Sequence, residues 1–164
     1  MVDRKDNPSL NLNMSETILK LIPRDPEFIP RVELQTEAVA VLKEVFPHAD
    51  KIQSNVFDGI QFVDPGSNLE KITCPKCGML IDIAQWQEMM NERFDKQNGF
   101  STLKIQLLCC GANSSLNDLL YSWPAGFASY ILKVRNPQGD IDATAQKQLE
   151  GLLGCEITKI IAQY

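Results

Sequence analysis

The sequence predicts an α+β domain, on three observations. Near the N-terminus a short β-branched run, a helical period and a second extended run follow one another, and the same succession returns near the C-terminus. Between them lies a segment of different character that holds Cys74, Cys77, Cys109 and Cys110. Strand–helix–strand twice over, interrupted once, packs most simply as a ferredoxin-like split βαβ sandwich, an antiparallel sheet with both helices on one face. Two units in series would leave each without a sheet to join. The two halves are then 15–64 and 127–164, with 65–126 inserted between them.

Each element follows from local chemistry. Residues 1–14, MVDRKDNPSLNLNM, are polar and aperiodic and read as a disordered tail. ETILKLI (16–22) is β-branched and is stopped by the turn residues of PRDPEFIP, which predicts the first strand. From Pro30 the spacing of Leu34, Ala38, Val41, Leu42 and Val45 is helical, with Pro30 in the first turn and Pro47 ending the run. KIQSNVFDGIQFVD (51–64) predicts a long strand with Ile52, Val56, Ile60 and Phe62 on one side and Gly59 at a bulge. Beyond the insertion, ASYILKV (128–134) alternates as a strand and NPQGD turns. DATAQKQLEGLLG (142–154) is a helix with Asp142 as cap, Ala145, Leu149, Leu152 and Leu153 on its inner face, and Gly154 at its stop. CEITKIIAQ (155–163) is the closing strand, with Cys155 buried in it.

Within the insertion, IDIAQWQEMMNERF (81–94) places Ile83, Trp86, Met90 and Phe94 along one helical stripe behind an Asp82 cap. STLKIQLL (101–108) predicts a strand running into Cys109. The segment therefore reads as hairpin, helix, strand and turn, with a cysteine pair at each of two turns. Trp123 and Phe127 of YSWPAGF (121–127) are expected to pin it to the sheet, and Ser115 or Asn117 to cap the turn in SSLNDL (114–119).

Composition narrows the function classes. A chain of 164 residues, 44% hydrophobic and 23% charged, has the make-up of an ordinary globule with a core. No apolar run approaches the roughly 20 residues that span a bilayer, and no signal-peptide core is present, so the expected location is the cytoplasm, with no membrane partner. Thiols stay reduced there, and an odd count of five cysteines does not suit a disulfide framework. The net charge is −5. Between Lys71 and Trp123 the cations Lys71, Lys76, Arg93, Lys96 and Lys104 are matched one for one by Asp82, Glu88, Glu92, Asp95 and Asp118. The basic footprint of a nucleic-acid binder is absent.

The cysteines carry the strongest chemical signal. In CPKCG the chain curls so that both thiolates face one point and amide N–H groups aim at sulfur; Pro75 stiffens the turn, and Gly78 supplies a positive φ. Two such pairs offer the four sulfurs that structural zinc prefers, Cys74, Cys77, Cys109 and Cys110. The second pair has no spacer, and adjacent residues of a strand point opposite ways, so both ligate one ion only if the chain turns sharply at Gly111. Otherwise three cysteines ligate, with His48 or Cys155 completing the set. A thioredoxin-like redox pair would sit at a helix N-terminus, whereas strand residues follow Cys77 here. An iron–sulfur centre uses the same donors. Catalytic zinc needs an open position, and no H-E-x-x-H set, Ser–His–Asp set or phosphate-binding glycine loop is present.

Through CPKCG the segment resembles zinc-ribbon and zinc-knuckle proteins. More narrowly, CPKCG…W…CCGANSSLNDLLYSWPAGFA resembles an uncharacterised bacterial protein family with a CPxCG…CCG pattern, over residues 71–128 and the C-terminal LKVRNP. The resemblance implies a metal and a bacterial source and brings no reaction with it. The expected function is that of a zinc-stabilised, non-catalytic module that binds an as yet unknown protein partner, through the helix-free sheet face or the aromatic edge of the insert. A nucleic-acid-binding zinc ribbon is the alternative, and an enzyme the third reading.

Overall fold

A computed structural model describes residues 16–164; the 1–14 tail lies outside the described residues. The chain is a mixed α+β structure with antiparallel strand pairing throughout its sheets. Strand β1 (Thr17–Pro23) is followed by helix α1 (Val32–Val45) and the long strand β2 (Lys51–Val63). At the other end come β10 (Gly126–Arg135), α3 (Ala143–Leu153) and β11 (Ile157–Gln163). The four long strands lie side by side in the order β11-β1-β10-β2.

The helices form as the side-chain pattern dictates. Asp142 caps α3 by accepting from the Ala145 N–H at 2.8 Å, and Gly154 ends it at φ 79°. Helix α1 begins at Val32, so Pro30 is not in its first turn: Arg31 is the cap and Pro30 stands just outside, its carbonyl accepting from the Gln35 side-chain amide at 2.7 Å. Ala38 and Leu42 of α1 and Ala145, Leu149 and Leu153 of α3 meet Leu19, Leu21, Tyr130, Leu132, Val134 and Ile157 from the sheet in one core. Tyr130 is fully buried there, and its hydroxyl shares a 2.8 Å hydrogen bond with Ser54, which removes the cost of burying it.

The helix-free face is also covered, and the cover is the sheet's own continuation. Opposite β10, Gln61 faces Ala128 while Val56 faces Tyr130, so Phe57 to Ile60 bulge out against Ser129 alone. Gly59 sits in this bulge at φ 93°, where an added Cβ would lie 1.9 Å from the Asn98 carbonyl oxygen. Past the bulge the paired ends 61–63 and 126–128 bend over the sheet. Val63 and Ala128 are buried against Ile22, Ile131 and Ile160, and a Cβ on Gly126 would touch Ile22 at 2.9 Å. Lys20 reaches up from β1 to the Asp64 carbonyl at 2.8 Å, and Gly66 pairs with Gln163 at the edge of β11. The bulge also divides the residues expected on one side of β2. Ile52 joins the helix-side core, Val56 is exposed, and Ile60 and Phe62 turn toward a second core.

That second core belongs to the middle of the chain. Here the elements are β3 (Ile72–Thr73), β4 (Leu80–Ile81), α2 (Ile83–Arg93), β5 (Phe94–Asp95), β6 (Gly99–Phe100), β7 (Lys104–Gln106), β8 (Asn113–Ser115), a 3-10 turn (Leu116–Asp118) and β9 (Leu120–Tyr121). Asp82 caps α2, accepting from Gln85 N–H, and Ser115 caps the 3-10 turn, accepting from Asn117 N–H. Trp86 and Met90 are buried, whereas Phe94 leaves the helix as its C-cap and pairs with Phe100 in the β5–β6 hairpin. The strand expected over 101–108 is confined to Lys104–Gln106, because it ends in a tight turn instead of running to Cys109. Phe127 does the pinning foreseen for it: fully buried, it packs 5.2 Å from both Phe62 and Phe100. Trp123 does not, for its backbone is held at φ 64° and its side chain is 47% exposed.

Candidate metal centre

Two hairpin turns bring the cysteines together. In the first, between β3 and β4, the Gly78 N–H donates to the Cys74 carbonyl at 3.1 Å and the Cys74 N–H to the Met79 carbonyl at 2.8 Å. Gly78 takes φ 79°, and the amides of Lys76 and Cys77 both donate to the Cys74 sulfur at 3.3 Å. In the second, between β7 and β8, the Gly111 N–H donates to the Leu107 carbonyl at 2.7 Å and the Leu107 N–H to the Ala112 carbonyl at 2.8 Å, with Gly111 at φ 74°.

The two turns are therefore the same backbone device, with Leu107 standing where Cys74 stands. Leu107 is 2% exposed and Cys74 1%, so each turn plugs its base into the core at that position. Leucine offers no donor there, so the second turn supplies its other sulfur from two positions further on. Cys110 matches Cys77, and Cys109 occupies the place of Lys76. This resolves the geometric difficulty of adjacent cysteines: they lie on the crest of a turn, where consecutive side chains do not alternate as they do in a strand.

All four sulfur atoms lie within 4.8 Å of one another. Cys77 Sγ is 3.5 Å from Cys109 Sγ, and Cys74 Sγ is 3.9 Å from Cys110 Sγ. Four sulfurs held at about 2.3 Å from a common tetrahedral centre lie about 3.8 Å apart, so the quartet fits a metal ion. The same separations are far beyond the roughly 2.05 Å of a disulfide. Cys74 is buried while Cys77, Cys109 and Cys110 are exposed, which places the group at the surface on a buried footing. Burial pushes the Cys74 thiol up, but the amides of Cys77 and Lys76 and the thiols of Cys109 and Cys77 outweigh it and bring it down to about 6. Cys109 is pushed up to about 12, first by its hydrogen bond with Cys77 and then by burial.

The other residues weighed as ligands lie elsewhere. His48 is exposed beyond the end of α1, and neither it nor Cys155 belongs to the sulfur group. Cys155 packs against the helix-side core, where burial, aided by Glu150, pushes its thiol up to about 11. Among the described residues no other group of cysteine, histidine and carboxylate side chains has metal-binding geometry.

Two features had no clear sequence signal. One is a groove of about 240 Å³ beside the second turn, whose lining includes Met79, Leu80, Met89, Leu107, Leu108 and Cys109. The other is Lys20, 6% exposed, whose ammonium donates to the Asp64 carbonyl, to Asp64 Oδ1 at 3.3 Å and to the Tyr164 hydroxyl at 2.7 Å. Burial lowers its pKa, and Asp64 counteracts that. All three protons are engaged, so Lys20 is a structural tie. The hint was a lysine in the alternating run TILKLIP.

No protein-family profile, curated protein or solved structure matches the chain. The resemblance to zinc ribbons thus rests on CPKCG and on the sulfur geometry. No helix among the described residues is long and apolar enough to cross a membrane.

Proposed function

We propose that Cys74, Cys77, Cys109 and Cys110 hold one structural zinc ion, and that the protein is a cytoplasmic, non-catalytic binding module. The frame is a ferredoxin-like split βαβ sandwich, a reading supported by its strand order β11-β1-β10-β2 and its helices sharing one core. Residues 65–126 form a zinc-ribbon-like lobe inserted into it. The observation that carries the proposal is the convergence of four sulfurs from two distant turns to within 4.8 Å. Four thiolates fill a tetrahedral shell, leave no open position for a substrate and favour a structural ion.

A protein partner suits the surface of this lobe. Met79, Leu80 and Leu108, on the two cysteine hairpins, are 59%, 64% and 73% exposed and line the groove. The helix-free sheet face is less suited, since Ile22, Ile131 and Ile160 are already buried by the chain itself. Nucleic acid is not favoured: the Arg93 guanidinium is committed to the carbonyls of Lys104 and Met89 and to Glu92.

Elemental analysis of protein purified under reducing conditions tests the metal, with one zinc per chain expected. Cobalt exchange should then give the visible bands of a tetrahedral thiolate site. Absence of any stoichiometric ion, or iron with its charge-transfer colour, overturns the zinc reading. For the partner, a photo-crosslinking amino acid at Leu108 should trap one defined protein in the native host, while the same probe at Lys43 on α1 should not. Equal trapping at both positions removes the assignment of the surface.

A further inference from the structure

We propose that Cys77 and Cys109 form an oxidation-sensitive thiol pair, which a peroxide converts to a disulfide with release of the ion. The inference rests on the four-cysteine metal reading above. It comes from the unevenness of the quartet. Cys77 and Cys109 are both exposed, and their 3.5 Å separation is shorter than the 3.9 Å between Cys74 and Cys110. Cys74, by contrast, is 1% exposed, and its sulfur accepts the amides of Lys76 and Cys77. Cys109 also lines the groove beside Leu107 and Leu108, so a small oxidant reaches its sulfur from solvent. A bond between Cys109 and Cys110 closes an eight-membered ring. That would require rebuilding a turn already fixed by Gly111 N–H on Leu107 O and Leu107 N–H on Ala112 O.

The chemistry balances with hydrogen peroxide as the oxidant. With the ion bound Cys109 is a ligand and therefore deprotonated; its thiolate attacks one peroxide oxygen, the O–O bond breaks, and a sulfenic acid forms while hydroxide leaves. The Cys77 thiolate then attacks that sulfur, displacing a second hydroxide and making the S–S bond. The two sulfurs together give up two electrons to the peroxide, and the two hydroxides take up protons as water. The ion, left with Cys74 and Cys110 alone, departs as a divalent cation.

The test uses the full zinc-loaded chain, hydrogen peroxide and a chromogenic zinc chelator, followed by alkylation and peptide mapping. One ion should be released for every two thiols lost, with the Cys77–Cys109 cross-linked peptide as the main product. Reductant plus zinc should restore the site, and Cys155→Ser should leave the stoichiometry unchanged. The proposal is overturned by a dominant Cys74–Cys110 or Cys109–Cys110 link, by sulfinic acids without a cross-link, or by an ion that stays bound while Cys155 oxidises. If reduced protein carries no stoichiometric ion, the metal reading fails on its own. The metal-free chain then decides the pair, and any main disulfide other than Cys77–Cys109 sinks it.

Discussion

Removing the proposed ion should loosen the two turns and spare the core beneath them. Fixing residues 74–79 and 107–112 costs roughly 12–24 kcal/mol of backbone entropy, at about 1–2 per residue. Burial of Leu107 and the turns' hydrogen bonds offset about 7 kcal/mol of this. A structural zinc ion contributes roughly 10–16 kcal/mol, enough to close the difference. The core below does not depend on it. Trp86, Met90, Phe100, Ile105, Leu116, Leu119 and Phe127 are buried together, with Trp86 edge-on to Phe62 at 5.4 Å and donating to the Tyr121 hydroxyl at 3.2 Å. Amide hydrogen exchange on chelated against zinc-loaded protein separates the two layers. The N–H groups of Cys74, Gly78, Leu107 and Gly111 should lose about 100-fold or more in protection, about 2.7 kcal/mol of local stability. The Trp86 amide and the β1–β10 ladder should change by no more than about threefold. Unchanged turns would show that hydrogen bonds and burial suffice, and simultaneous loss everywhere would show that the core needs the ion. Either outcome refutes this account.

Four other outcomes follow from particular residues. Cys74→Ser should abolish stoichiometric metal by elemental analysis while Cys155→Ser leaves it intact; equal loss in both would mean a ligand is misassigned. Gly59→Ala should cost about 2 kcal/mol or more in urea unfolding, since φ 93° and the Asn98 carbonyl both oppose a Cβ; an unchanged midpoint would move the β5–β6 hairpin away from β2. Trp86→Ala should cost about 3–5 kcal/mol and Trp123→Ala under about 0.5, and a reversal of that order would contradict their burial. In acid, burial pushes the Asp64 carboxyl up, but the Tyr164 hydroxyl, Lys20 and the Gly66 N–H outweigh it and hold it below the usual range. A depressed folded-state pKa means stability that is full above about pH 4 and lost as pH falls through the depressed value. Asp64→Asn should therefore flatten the acid limb of a Tm-versus-pH curve, and an identical limb would deny the linkage.

Period and capping made the long elements legible. The spacing of Leu34, Ala38 and Leu42 and the Asp142–Gly154 brackets come from local chemistry, and local chemistry decided them. The cysteine quartet was legible for a similar reason, since CPKCG and CCG each encode a tight turn that brings its thiols together. What could not be read was tertiary. Val56 keeps the register of Ile52, opposite Tyr130, yet lies beyond the cover of the helices and is exposed, and the bulge at Gly59 sends Phe62 to a different core. Trp123 looks like an anchor by residue type, but the turn before Pro124 holds it away from the aromatic cluster. Nor did composition disclose that Leu107 copies the backbone role of Cys74, because the equivalence lies in carbonyl and amide partners and not in side-chain chemistry.

The direct pairing of Val63 with Gly126 has an implication for how such a chain is put together. Residues paired across an antiparallel ladder stand about 5 Å apart, a gap that a two-residue hairpin turn spans. The sixty-odd residues between them leave and return through a doorway one peptide wide. If the middle of the chain is the inserted lobe proposed above, a cassette joined in this way could be exchanged in a single genetic step while the register of the long strands is kept. Ile60, Phe62, Phe127, the buried Lys20 ammonium and the Gln163 edge of β11 would then need new partners.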